Sequence, residues 1–468
     1  MTNPTTVDYA PEPTPAEPPK ASPVLMFKLS LMMFLEFAIQ GAWLPLLFPF
    51  FKYHRSFPDA QVGYLGAIGA IGAIASPLVA GQLADRKMNA ERVLGISHIL
   101  GALLVLRMAY ATGFTELMVE AFLYGLLYTP TLALVNAISF RHLPDRDRDF
   151  GKVRVWGTIG WIVIGIAVGQ WLFRRAGTDL PLQYEYMGDA FRISAFIGLF
   201  FGVFSFFLPK TPPAVVTTAA RRPSAADPSE PGGVLNYAAP AKSSKFAPGE
   251  AMGEIVHQRP LLVLFILAFP IATVHSLFFA RAAEYLGSGR VELPNPTFIN
   301  NIFGVGGAGL MTIGQMAEVI VLALMPFFAK RFSKKVLLTV GLLAYALRFF
   351  AFAYLPYGWA ILPALALHGL VFGCFFFLVF MIIDEHTTKD VRASAQNLFN
   401  FIIFGVGVIA GNTLAGWIGE ASTSPTGQLN WTRFMSIPMW ITLACLVVFL
   451  IAYPNRSRVL NKEGLAAA

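Results

Sequence analysis

Residues 260–286 read PLLVLFILAFPIATVHSLFFARAAEYL, with no charged side chain before Arg281. A helix crossing the hydrocarbon of a bilayer needs about 20 predominantly apolar residues, and this stretch supplies them without a break. Residues 24–51 do the same near the N-terminus. They are too long for a signal-peptide core, and no small-residue cleavage site follows, so they read as a first membrane helix and a secreted fate is excluded. The 468-residue chain repeats the pattern: 56% of it is hydrophobic and only 13% is charged, where soluble proteins carry about 25% charged residues. Soluble globular, disordered and collagen-like classes drop out. Two cysteines, Cys374 and Cys445, fall inside apolar runs, so there is no disulfide framework.

Further apolar runs lie at 61–84, 92–113, 115–140, 153–173, 190–208, 260–286, 300–329, 336–355, 358–383, 393–419 and 434–453, which with 24–51 makes twelve. Glycines at 304–309 interrupt one of them. Residues 1–23 are polar and proline-rich and read as a disordered tail. The stretch 209–253 is rich in Pro, Ala and Ser and has no sustained helical period. It reads as a linker between a half at 24–208 and a half at 254–454, with a second tail at 455–468. Placing both termini in the cytoplasm puts 25 of the 35 Lys and Arg residues on the inside, as the positive-inside rule favours. Dispersed over short loops as topology signals, these basic residues form no continuous patch, so the net charge of +8 does not imply nucleic acid as a partner.

The halves echo each other. Pro77 and Arg86 recur in type as Pro326 and Lys335, Arg107 as Arg348, and Val153-Arg154 as Val391-Arg392, at an offset near 240. Such an offset suggests a duplicated six-helix unit, the plan of transporters that rock two halves about a midplane site.

A charged side chain at mid-bilayer costs roughly 3 kcal/mol on insertion scales, so those present normally face a cavity and carry function. Here they are Glu36, Arg107, Arg154, Glu318 and Arg348, with His98, His275 and His368 able to titrate near neutral pH. Gln315 and Glu318 are three residues apart and share a helix face. They can hydrogen-bond a polar solute, and the carboxylate can take a proton; a structural bond between helices is the plainer alternative. Arg154, Thr158 and Trp161 form one stripe that suits an aromatic heterocycle bearing a sugar, unless Arg154 reaches the interface by snorkelling. His275 lies beside Thr273 and Ser276, and His368 precedes Phe372 by four residues. Either histidine could move protons or simply hydrogen-bond. Glu36, near Gln40 and Trp43, is a candidate for a cavity rim. Arg107 and Arg348 read as helix-holding or snorkelling residues. No metal-ligand spacing and no phosphate-cradling loop occurs.

Gly81-Gln-Leu-Ala-Asp85-Arg86-Lys87 resembles the loop signature of the major facilitator superfamily. The resemblance implies a gate latch at Gly81, Asp85 and Arg86, and an all-α membrane fold of twelve transmembrane helices in two six-helix halves. Four more stretches resemble the bacterial nucleoside:proton symporter family: Pro130-Thr-Leu-Ala-Leu-Val-Asn136-Ala-Ile-Ser139, Arg154-Val-Trp-Gly-Thr158-Ile-Gly160, Gln315-Met-Ala-Glu318 running to Pro326, and Arg392-Ala-Ser-Ala-Gln396. This implies a transporter, not an enzyme, that imports nucleosides on a proton gradient across the inner membrane, without a cofactor. Arg154, Thr158, Gln315, Glu318 and Phe372 are implied to line the site, with Thr273 and Ser276 in place of the family's helix-seven amides. His368 and Gly373 stand where the family has a tyrosine and an aspartate, the latter a suspected proton carrier. Glu318, helped by His275 or His368, is then the expected proton site. A monomer in the lipid bilayer is expected, with a nucleoside and protons as its partners. The same fold carrying a sugar, a nucleobase or an aromatic acid is the alternative.

Overall fold

The computed structural model describes residues 19–76, 88–213, 247–388 and 391–455. Hydrocarbon offers the backbone no hydrogen bonds, so a spanning segment must satisfy its own, and helices do. Eleven helices among the described residues are long and apolar enough to span: α1 Pro23–His54, α3 Ala90–Tyr110, α4 Phe114–His142, α5 Arg146–Ala176, α6 Leu180–Ser205, α7 Arg259–Gly287, α8 Ala308–Arg331, α9 Lys334–Tyr354, α10 Gly358–His386, α11 Arg392–Ser422 and α12 Trp431–Ala452. The twelfth, α2 Asp59–Ser76, ends where the description does. The remainder of the expected run 61–84 lies outside the described residues, as do Pro77 and the expected latch residues Gly81, Asp85 and Arg86.

The duplication is visible in the packing. In the first half α1 lies on α5, α2 on α4 and α3 on α6; in the second, α7 lies on α11, α8 on α10 and α9 on α12. The halves meet along α2 with α11 and α5 with α8, which are equivalent pairs under the repeat.

Two expectations change. The run 300–329 is not one helix: a short helix, Pro296–Phe303, precedes α8. Gly304, Gly306 and Gly307 between them have φ of +72°, +76° and +84°, a backbone region that side chains disfavour. A Cβ on Gly304 would also sit 1.9 Å from the Gly169 carbonyl carbon of α5. The linker, second, is helical at its end, over Ala247–His257. Ala251 and Ile255 are buried, and Glu254 accepts from the Thr388 amide and hydroxyl at 3.2 and 2.7 Å. That period is too short to register in a long window.

Among the described residues, the hydrogen bonds and ion pairs between halves lie away from the face at which α1 begins and α12 ends. Lys52 pairs with Asp59 at 2.8 Å and with Glu284 at 3.6 Å. Arg281 pairs with Asp59 across the interface and with Glu284 at 2.9 Å, and the Tyr53 hydroxyl donates to Glu284. Gln170 donates to the Asn300 and Asn301 carbonyls, the Val305 amide to Gly169, and the Trp417 indole to Tyr64. Arg107 sits at the rim, bonded to Glu116 and Glu120, and so holds α3 to α4 as expected.

Removing one member of a buried pair strands its partners, at about 3–5 kcal/mol. Arg281→Met is therefore expected to lower the detergent melting temperature strongly, and adding Glu284→Gln, which leaves Lys52 paired with Asp59, to recover part of the loss. A double variant no more stable than the single one would show that pairing is not the source.

Candidate substrate site between the halves

The site begins with two glycines. A Cβ on Gly369 would lie 2.5 Å from the Ala317 carbonyl, and one on Gly373 would lie 2.8 Å from Val321 Cγ1. Their absence lets α10 settle against α8 and brings His368 Nε2 to 3.4 Å from Glu318 Oε2. The other imidazole nitrogen, Nδ1, is 3.3 Å from Arg348 Nη1. A guanidinium only donates, so Nδ1 accepts and the His368 proton resides on Nε2, the ring nitrogen nearer the Glu318 carboxylate. Arg348 is 2% exposed and lies 3.3 Å from the Phe278 ring centre, so it does not snorkel; it ties α7, α9 and α10 together. His275 stacks on His368 with 5.6 Å between rings, and its Nδ1 is 2.6 Å from the Tyr345 hydroxyl. Phe372, 6.3 Å from His368, opens a π-helical turn, Phe372–Phe377, a distortion that recurs at functional sites.

One turn before Glu318, Gln315 is buried with its Oε1 unpartnered. An amide oxygen left so in the middle of a membrane protein is costly, and a bound solute would satisfy it.

The first half answers from α5. Gly157 and Gly160 allow α5 to lie against Phe37 and Phe34 of α1, and the Arg154 guanidinium rests 4.3 Å from the Phe37 ring centre. It interacts electrostatically with Glu318 across the interface and with Glu36. Arg154 thus faces the interior of the bundle, not the headgroups. Thr158 and Trp161, on the same stripe, are half-buried.

Arg154, Gln315, Glu318, His368, His275 and Phe372 are therefore brought to one region. Thr273 and Ser276 lie elsewhere on α7. Thr273 donates to the Phe269 carbonyl, Ser276 accepts from Asn412 of α11 at 3.2 Å, and both pack where Gly411 meets α7. Glu36 is not at a rim; it is sealed inside the first half. Sequence reading missed Arg348 and Tyr345 as members of the histidine cluster. Its one available signal was that a charge held in hydrocarbon must have a partner.

Twelve helices in two like halves, with charged and amide groups meeting between them, define a membrane transporter. Residues 24–224 and 242–458 match the family described as nucleoside H+ symporter. The putative nucleoside transporter YegT of Escherichia coli (strain K12) is 31% identical over 91% of each chain, and the xanthosine permease of the same organism is 26% identical, over 91% of this chain and 94% of its own. The chain belongs to the nucleoside H+ symporter family. A crystal structure of the nucleoside transporter NupG superposes with a TM-score of 0.73 at 24% identity, over 92% of this chain and all of that one; this likeness establishes the fold.

Overpacking a tight contact costs about 1–3 kcal/mol. Gly373→Ala is expected to lower the melting temperature by several degrees, and Val321→Ala added to it to restore most of the loss. No recovery in the double variant would mean that the α8–α10 approach does not depend on Gly373.

Proposed function

We propose that the chain imports nucleosides by proton symport, with alternating access about the site between α5, α8 and α10. The observation that carries this reading is that α5 packs on α8 across the interface, with the unpartnered Gln315 oxygen and the Glu318 carboxylate on α8 and Glu318 within the electrostatic reach of Arg154 on α5. Arg154, Thr158 and Gln315 hydrogen-bond the polar edges of base and ribose, while Trp161 and Phe372 stack on the base. Thr273 and Ser276 act at one remove, by seating α7 and with it His275. Glu318 takes the proton, and His368 Nε2–H holds the carboxylate in place. Protonation cancels the charge that opposes closure of the loaded site, which couples proton entry to solute entry.

In this reading the halves are 24–208 and 254–454, joined by the segment 209–253, and the chain works as a monomer in the inner membrane. The positive-inside distribution puts both termini in the cytoplasm. The Lys52–Asp59–Arg281–Glu284 network then seals the outer face, and Gly81, Asp85 and Arg86 form the latch on the inner one. A second cargo class, a sugar, nucleobase or aromatic acid, is favoured by His368 and Gly373, which replace a tyrosine and an aspartate of the family pattern.

The test is uptake of labelled uridine, adenosine, inosine and a sugar into proteoliposomes with an imposed pH gradient. Gradient-driven nucleoside accumulation is expected, abolished by a protonophore. Glu318→Gln should retain exchange but not accumulation, and Arg154→Ala should weaken binding at least tenfold, as for loss of a charged hydrogen bond. Uptake indifferent to both gradient and Glu318→Gln would make the protein a facilitator, and sugar uptake alone would overturn the cargo.

A further inference from the structure

A second acid lies outside the site described. Glu36, on α1, is wholly buried. Its Oε2 is 3.0 Å from His98 Nε2 of α3, its Oε1 accepts from the Thr131 hydroxyl of α4 at 2.6 Å, and its carbonyl accepts from the Tyr128 hydroxyl. The titratable and charged groups around it are His98 from α3, Tyr124 and Tyr128 from α4 and Arg154 from α5. From α6 come Phe201, packed on the His98 ring, Ser194 and Gly198, none of them charged. Beside His98 is a cavity of about 10 Å³, lined by Ser97, Gly101, Tyr124, Tyr128 and Ser194. That is room for about one water, and the buried Tyr124 hydroxyl is at its wall.

A carboxylate and an imidazole at this distance can hold one further proton between them, as imidazolium with carboxylate or as imidazole with carboxylic acid. Without that proton, Glu36 keeps the neutral His98 Nε2–H, the Thr131 hydroxyl and the field of the Arg154 guanidinium. Cargo that engages Arg154 turns this cation away from Glu36, and an uncompensated carboxylate in hydrocarbon is costly. The proton and the cargo therefore favour each other, and the coupling is reciprocal. We propose that Glu36 and His98 form a second proton-binding site, within the first half, coupled through Arg154 to nucleoside binding. This rests on the reading of Arg154 as a cargo ligand.

The test measures protons taken up per nucleoside bound, adding uridine to the purified full chain in weakly buffered detergent solution, with binding followed in parallel by calorimetry. The wild type is expected to take up about twice as many protons per uridine as Glu36→Gln or His98→Gln. Glu318→Gln, which leaves Glu36, His98 and Thr131 in place, should keep about half of the wild-type uptake. An unchanged ratio in Glu36→Gln or His98→Gln, or no uptake at all by uridine-binding Glu318→Gln, would overturn the second site. The Glu318→Gln arm gives that answer even where the other two variants do not fold. Absence of uridine binding to the wild type would instead overturn the nucleoside reading on which this one stands.

Discussion

Arg281 is a guanidinium with no exposed surface, and the closure of one end of the bundle depends on how it is compensated. It lies between Asp59 of the opposite half and Glu284 of its own helix, against the rings of Phe48, Trp431 and Phe434. Lys52 completes a quartet of two cations and two anions. The aromatic rings exclude water, which strengthens each ion pair and makes an unpaired member expensive. The network joins the end of α1, the start of α2 and the end of α7, so it cannot form unless the halves are together there.

Below that layer the halves meet by close packing, with hydrogen bonds such as Val305 to Gly169 and Trp417 to Tyr64. Gly63 and Gly416 let α2 and α11 touch, and Gly169 with Gly304 does the same beside α8. Close packing by small residues replaces the hydrophobic effect, which does little between helices already in lipid. Lower still, polar groups again face the interface, as Arg154 against Glu318. The order of ion network, glycine seam and polar site along the interface is what permits one end to be shut while the middle holds unsatisfied groups.

The spans were legible because the demand for about 20 apolar residues acts on every one of them, and the duplication was legible from recurring Arg and Pro positions. Arg154, Gln315, Glu318 and His368 could be singled out because ionic and amide groups are rare in such helices. Contacts set by rotation about a helix axis were not legible. Thr273 and Ser276 share α7 with His275 but face α11, and Glu36 turns into the first half although Gln40 and Trp43 are its neighbours in sequence. The break at Gly304 was signalled by glycines, but the left-handed backbone there follows from how near α5 comes. Arg348 was read as structural because nothing local says that His368 will lie opposite it.

Arg348 has an electrical consequence. With His98, His275 and His368 neutral, Arg154 and Arg348 balance Glu36 and Glu318, so the charges in the middle of the bundle sum to zero. A proton gained at either acid leaves that core with one net positive charge. A charge that crosses the whole membrane feels its voltage at about 2.3 kcal/mol for each 100 mV. Under the symport proposed above, an interior-negative voltage would therefore favour inward movement of the protonated core and leave the emptied, neutral core indifferent to it.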